Sequence, residues 1–228
     1  MRYFLCSILL FLTACSSNAP LMDVERQVVH VYASPAAEAW LPLVYTCAER
    51  SPELLVARTL DIASANLILR VGETPILDAT PYQIDEVELV VVANAENTLP
   101  ELETDQIKAI FEGNIRNWAE VGGEDANIQL WIFAAGDDYQ VASNEGLFGG
   151  GIISSLAQQA QSPRAMREAI QNDIHAIGLL AKKDVEGAMN LQILSTESVF
   201  LPILVLPWGD KLVKSPTLLN CLQGVIDS

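Results

Sequence analysis

Six consecutive residues, Glu88-Leu89-Val90-Val91-Val92-Ala93, constrain the fold of this chain most strongly. After the glutamate, five apolar and largely β-branched side chains follow without a polar break. Such a run offers no face to water and reads as a strand buried on both sides. The segments before it show what such a strand would join. Gln27 to Tyr32 alternates as a strand does, and Ala33-Ser34-Pro35-Ala36-Ala37 then turns into a helix carrying Trp40, Leu43, Val44 and Cys47 on one side. Ser34 suits the N-cap and Pro35 the first helical position. Two further extended runs follow, Leu54 to Ala57 and Asn66 to Val71. Strand, helix, strand is the order of a parallel sheet with helical crossovers, so the expected class is α/β.

The same alternation continues to the end of the chain. Thr104 suits the cap of a helix whose apolar face is Ile107, Ile110 and Phe111, and Gly113 suits its stop. Ile128 to Phe133 is a strand, and Ala134 to Tyr139 leads out of it. Gly149-Gly150-Gly151 marks a turn. Ser162-Pro163 opens a helix through Met166 and Ile170, and Ala176 to Leu180 is a short strand. Leu191 to Leu194 and Leu201 to Leu206 are extended. Ser215-Pro216 starts a last helix with Leu218, Leu222, Val225 and Ile226 on one face.

The amino terminus is of another kind. Met1-Arg2 precedes an apolar run of about ten residues, shorter than the roughly 20 needed to span a bilayer, and small residues follow. This is the order of an export signal. Leu12-Thr13-Ala14-Cys15 has the pattern of a lipobox, in which the Cys15 thiol is alkylated by a diacylglyceryl group and residues 1–14 are removed. The expectation is a lipoprotein tethered to a membrane through Cys15 and facing the periplasm or cell exterior, with residues 15–27 as a leash.

The 214 residues left after cleavage hold 12 basic and 29 acidic side chains, a formal charge of −17. That surface repels nucleic acid and anionic headgroups. No nucleophile elbow, HExxH or phosphate-cradling glycine loop is present, and enzymatic activity is not expected. His30 and His175 lie far apart and there is no CxxC, so neither a metal nor a cofactor is expected. Beyond Cys6 and Cys15, the cysteines are the pair Cys47 and Cys221.

Leu102, Gln106, Ile107, Ile110, Phe111, Gly113, Ile115, Asn117, Trp118, Val121, Gly122 and Gly123, with Ala93-Asn94 upstream, match at correct spacing a pattern of the periplasmic phosphate-binding proteins of ABC transporters. Ala176-Ile177-Gly178-Leu179 resembles a second strand of that family, with Leu179 where an aromatic is usual. The resemblance implies a two-lobe type 2 periplasmic-binding-protein-like fold with a hinge and an interlobe cleft. Residues 28–85 plus 190–228 would form lobe one, and 86–189 an inserted lobe two. A small-molecule or anion ligand would lie in the cleft, and an ABC permease would be the partner. By the same resemblance the ligand would meet Ala33 and Ser34 on one side and Gly136, Asp137, Asp138 and Tyr139 on the other. Here the sequence departs from the family. Ile132 to Tyr139 keeps Gly136 but has neither the basic residue nor the hydroxyls that clamp phosphate, and the two aspartates would face the cleft or cap the next helix. The alternative is a non-transport sensor or interaction module that has lost phosphate binding. Cys47 and Cys221 both fall on helices that the resemblance assigns to lobe one. A bridge and two buried free thiols both remain open, and a Cα separation above about 7 Å would exclude the bridge.

Overall fold

The computed structural model describes residues 26–73, 80–194, 198–208 and 216–224. The expected signal, Cys15 and the leash as far as residue 25 lie outside the described residues, as do Ser215, Val225 and Ile226. No helix among the described residues is long and apolar enough to cross a membrane.

Nine strands form one mixed sheet. They are β1 (Gln27–Ala33), β2 (Leu54–Arg58), β3 (Leu67–Val71), β4 (Tyr82–Asn94), β5 (Gln129–Phe133), β6 (Gln158–Ala160), β7 (Ala176–Ala181), β8 (Leu191–Ile193) and β9 (Val199–Pro207). The spatial order is β2-β1-β3-β9-β4-β7-β5-β6, with β8 also on β4. β1 runs parallel to β2 and β3, and β5 parallel to β7, as the strand–helix alternation predicts, and β5 also runs parallel to β6, a three-residue strand that the pattern does not mark. The centre is different. β4 is antiparallel to β9, β7 and β8. Leu89 to Asn94 is buried throughout, as its composition predicts, but burial on both faces does not dictate direction, and here both neighbouring tracks run the other way. The first half of β4 pairs with β9 and its last three residues pair with β8, so this one strand ties the group β1–β3 to the group β5–β7. β8, which the expected division places in lobe one, pairs with the lobe-two end of β4.

The helices are α1 (Leu41–Glu49), α2 (Thr104–Glu112), α3 (Asp138–Gly146), α4 (Pro163–Asn172), α5 (Lys182–Val185) and α6 (Pro216–Gln223). A 3-10 turn, Pro35–Trp40, precedes α1. α2 begins one residue earlier than a Thr104 cap would place it: Glu103 is the cap, and its N–H donates to Gln106 Oε1 at 2.9 Å. Gly113 ends the helix with φ +78°, a conformation that glycine adopts without the clash a Cβ would bring. Ile107, Ile110 and Phe111 are buried, and Phe111 stacks on Phe148 with ring centroids 4.3 Å apart. Trp118 is fully buried and donates Nε1–H to the His175 carbonyl at 3.1 Å. These residues build the core. Cys47 on α1 and Cys221 on α6 are disulfide-bonded, with Cα atoms 5.6 Å apart, so the first and last helices are one covalent unit.

Candidate ligand-binding site

The site arises where strands of both groups end on the same side of the sheet. β1 stops at Ala33, and the next residue continues its pairing by donating Ser34 N–H to the Leu69 carbonyl at 3.0 Å. The Ser34 side chain therefore stands just past the carboxyl end of β1, next to Arg70 and Val71 at the end of β3. From the other group, β5 ends at Phe133, turns through Ala134–Asp137 and starts α3 at Asp138. Crevices at the carboxyl ends of parallel strands are the usual ligand sites of α/β folds.

Asp138 crosses this crevice. Its Oδ2 accepts from Ser34 Oγ at 2.6 Å and from Val71 N–H at 2.9 Å, and its Oδ1 accepts from Arg70 Nη2 at 2.6 Å. The residue is only 4% exposed. A carboxylate taken this far from water is stable only when donors surround it, and here a guanidinium, a hydroxyl and a backbone amide do so. Arg70 is itself partly buried, the one charged residue in an otherwise apolar strand.

A cavity of about 410 Å³ opens beside the contact, lined among others by Arg70, Glu73, Asp138, Glu145, Phe200 and Pro202. Its size suits a small metabolite. Its charge is mixed, three carboxylates around one guanidinium. Neighbouring groups feel the same desolvation. Burial raises the Asp137 carboxyl to about 6, against the bond it accepts from Tyr139 N–H at 2.9 Å and with a smaller contribution from the Asp138 charge. The Tyr139 phenol is raised well above its ordinary range, first by burial and then by the charges of Asp184, Asp137 and Asp138.

Of the six residues that the resemblance places at the ligand, the structure brings two together, Ser34 and Asp138. Asp137 caps α3 through its own side chain. Tyr139 is core, 1% exposed and 5.6 Å from the Phe133 ring centroid. Ala33 is buried in β1 opposite Leu69. Gly136, with φ +90°, makes the turn before α3 and is exposed, with nothing within 4 Å of where a Cβ would stand. Ser34 occupies an N-cap position but makes no capping bond, because its hydroxyl is committed to Asp138. Arg70 is the residue that sequence reasoning passed over. Ile132 to Tyr139 has no basic group, but Arg70 stands on the opposite side of the crevice, and the signal for it was a lone arginine inside the apolar run Leu67-Ile68-Leu69-Arg70-Val71.

A mixed α/β sheet in two groups, joined through long central strands and flanking a crevice at the strand ends, is the two-lobe type 2 periplasmic-binding-protein-like fold. Two solved phosphate-transport binding proteins share this fold. The chain is similar over 89% of its length to a Clostridium perfringens protein assigned as a phosphate ABC transporter substrate-binding protein and solved with bound phosphate, with a TM-score of 0.71, 17% identity and 93% of that chain covered. It is similar over 86% of its length to an ABC-type phosphate transport receptor from Vibrio cholerae, with a TM-score of 0.63, 17% identity and 93% of that chain covered. The regulatory domain of OxyR2 from Vibrio vulnificus shares the fold, with a TM-score of 0.60 and 10% identity over 90% of this chain and 97% of that one. No family model matches the sequence.

Proposed function

We propose that this protein is a solute-binding lipoprotein, held on the outer side of a membrane through Cys15, that takes a small ligand into the cleft between its lobes and hands it to an ABC permease. The lobes would be residues 28–85 with 190–228 and residues 86–189, with β4 carrying the chain between them. The observation that carries the proposal is the meeting of Ser34 and Asp138, from two strand groups, at the rim of a cavity of about 410 Å³. A tether would confine the binding domain near its permease and raise its effective concentration there. The chemistry required is binding and closure alone.

The test is a thermal-shift panel of oxyanions, organic acids, amino acids and cationic metabolites on the lipid-free mature chain. A ligand that raises the melting temperature, and loses this effect when Glu145 and Phe200 are replaced, supports the proposal. Silence across the panel sinks it. One observation favours the alternative, an envelope sensor or interaction module that has given up phosphate: Asp138 already holds the donors that an anion would need. Under that reading, retention of a partner protein on the immobilised chain replaces a small-molecule response.

A further inference from the structure

Three donors converge on Asp138, and none of them depends on the anion being part of the chain. Ser34 Oγ, Val71 N–H and Arg70 Nη2 lie 2.6–2.9 Å from two carboxylate oxygens. A hydroxyl, a main-chain amide and a guanidinium converging in this way are a general oxyanion receptor, as suited to two oxygens of phosphate or sulfate as to a carboxylate. All three come from the β1 end and β3. The anion comes from the start of α3, across the crevice, 104 residues from Ser34 and 67 from Val71 in sequence. Its chain neighbours Gly136, Asp137 and Tyr139 bring no cation with it.

We infer that Ser34, Arg70 and the Val71 amide form an oxyanion-binding site that the protein's own Asp138 occupies, so that the cleft is self-liganded and closed to free phosphate until that side chain is withdrawn or removed. An external dianion competes with a contact that is already desolvated, already charge-balanced and held at the high effective concentration of an intramolecular partner. It would also leave Asp138 buried with its donors taken. The inference rests on the cleft reading proposed above and is independent of any permease or transported solute.

The experiment compares three mature chains, wild type, Asp138→Ala and Asp138→Ala with Arg70→Ala. Each is melted and titrated calorimetrically with phosphate and with sulfate at pH 7.5, against sodium chloride of equal ionic strength. Asp138→Ala is expected to melt below wild type in chloride and to gain about 5 °C or more when either oxyanion is present at a hundred times its Kd. Wild type is expected not to respond, and the double variant to lose the gain. The inference is overturned if wild type binds phosphate as tightly as Asp138→Ala, if neither oxyanion acts on the single variant, or if the gain survives loss of Arg70. Should Asp138→Ala fail to refold in chloride, recovery of its far-UV circular dichroism in sulfate is the supporting result, and failure there counts against the inference. An oxyanion response confined to Asp138→Ala, with wild type silent across the wider panel, would uphold self-liganding and defeat solute binding. A wild-type ligand found without any oxyanion response in the variant would do the reverse.

Discussion

Lys183 holds its ε-ammonium 3.4 Å from the ring centroid of Trp40, while the same indole donates Nε1–H to Asp85 Oδ2 at 2.6 Å. Trp40 ends the 3-10 turn after β1, Asp85 lies in the first part of β4, and Lys183 belongs to α5, directly after β7. One side chain thus links the turn after β1 to the connecting strand β4 and to the helix after β7, away from the Ser34–Asp138 contact.

Trp40→Ala is expected to lower stability by about 3–5 kcal/mol, the usual loss for a buried indole. Lys183→Met should lose only about 0.5–1 kcal/mol, because its ammonium stays in contact with water. Urea titrations of both variants check the ratio. Equal effects would show that the ion, and not the indole's burial, holds this junction.

Arg70→Ala strands the Asp138 carboxylate in a buried place with two neutral donors, and a loss of about 3–5 kcal/mol is expected. Combining it with Asp138→Ala should restore part of that stability, since no unpaired charge remains. A double variant less stable than Arg70→Ala alone in chemical denaturation would contradict the pairing of Arg70 with Asp138.

Asp137 supplies a pH signature with a definite sign. Its folded-state value, about 6, is raised above the ordinary 3.8. Between those values the native chain holds a proton that the unfolded chain has released. This group therefore favours folding at acid pH, and its contribution fades as pH rises through about 6. Asp137→Asn keeps the α3 cap and removes the titration. It should melt higher than wild type at pH 7.5 and vary less between pH 4 and 6.5. The control is Glu124→Gln, an exposed change of equal charge. Parallel pH curves for wild type and Asp137→Asn would contradict the assignment.

The bond from Cys47 to Cys221 spans 174 residues. Chain-entropy arguments put the stabilisation from closing so long a loop at about 5 kcal/mol. The Cys47→Ala/Cys221→Ala variant should melt well below wild type, and reductant should act on wild type alone.

Gly178 shows how a sequence pattern becomes packing. A Cβ there would stand 2.6 Å from Met166 Sδ and 3.2 Å from the Trp131 carbonyl. Gly178→Ala is expected to lower stability by about 1–3 kcal/mol by forcing α4 off β7. A neutral result would mean that Met166 swings aside.

Much of this was legible in the chain because the signals are local. The run Leu89 to Ala93 is buried as its composition demands, and the spacing of Ile107, Ile110 and Phe111 gives a helix with that face inside. The Gly113 stop is marked by a glycine just after the last apolar position of that helix, and its φ of +78° bears the reading out. The site was legible only in part, because it is made by residues far apart in sequence. Ser34 and Asp138 were candidates separately, but nothing near either names the other. Arg70 was hidden in an apolar strand and acquires its role only through the sheet order that brings β3 to the crevice. The antiparallel direction of β9 and β7 beside β4 was equally out of reach, since the composition of a buried strand does not carry its neighbours' direction.

The place of β9 also sets a clock. It lies between β3 and β4, yet it begins at residue 199, long after β3 ends at residue 71. At roughly 5–20 residues per second, a ribosome leaves that edge of β3 waiting for roughly 6–25 s. Until then two strands in the middle of the future sheet have open ladders, the state in which chains pair with one another. A product that stops short of β9 is therefore not a smaller version of this protein. It is a pair of sticky edges, and whatever shields the nascent chain has to do so until nearly all of it has been made.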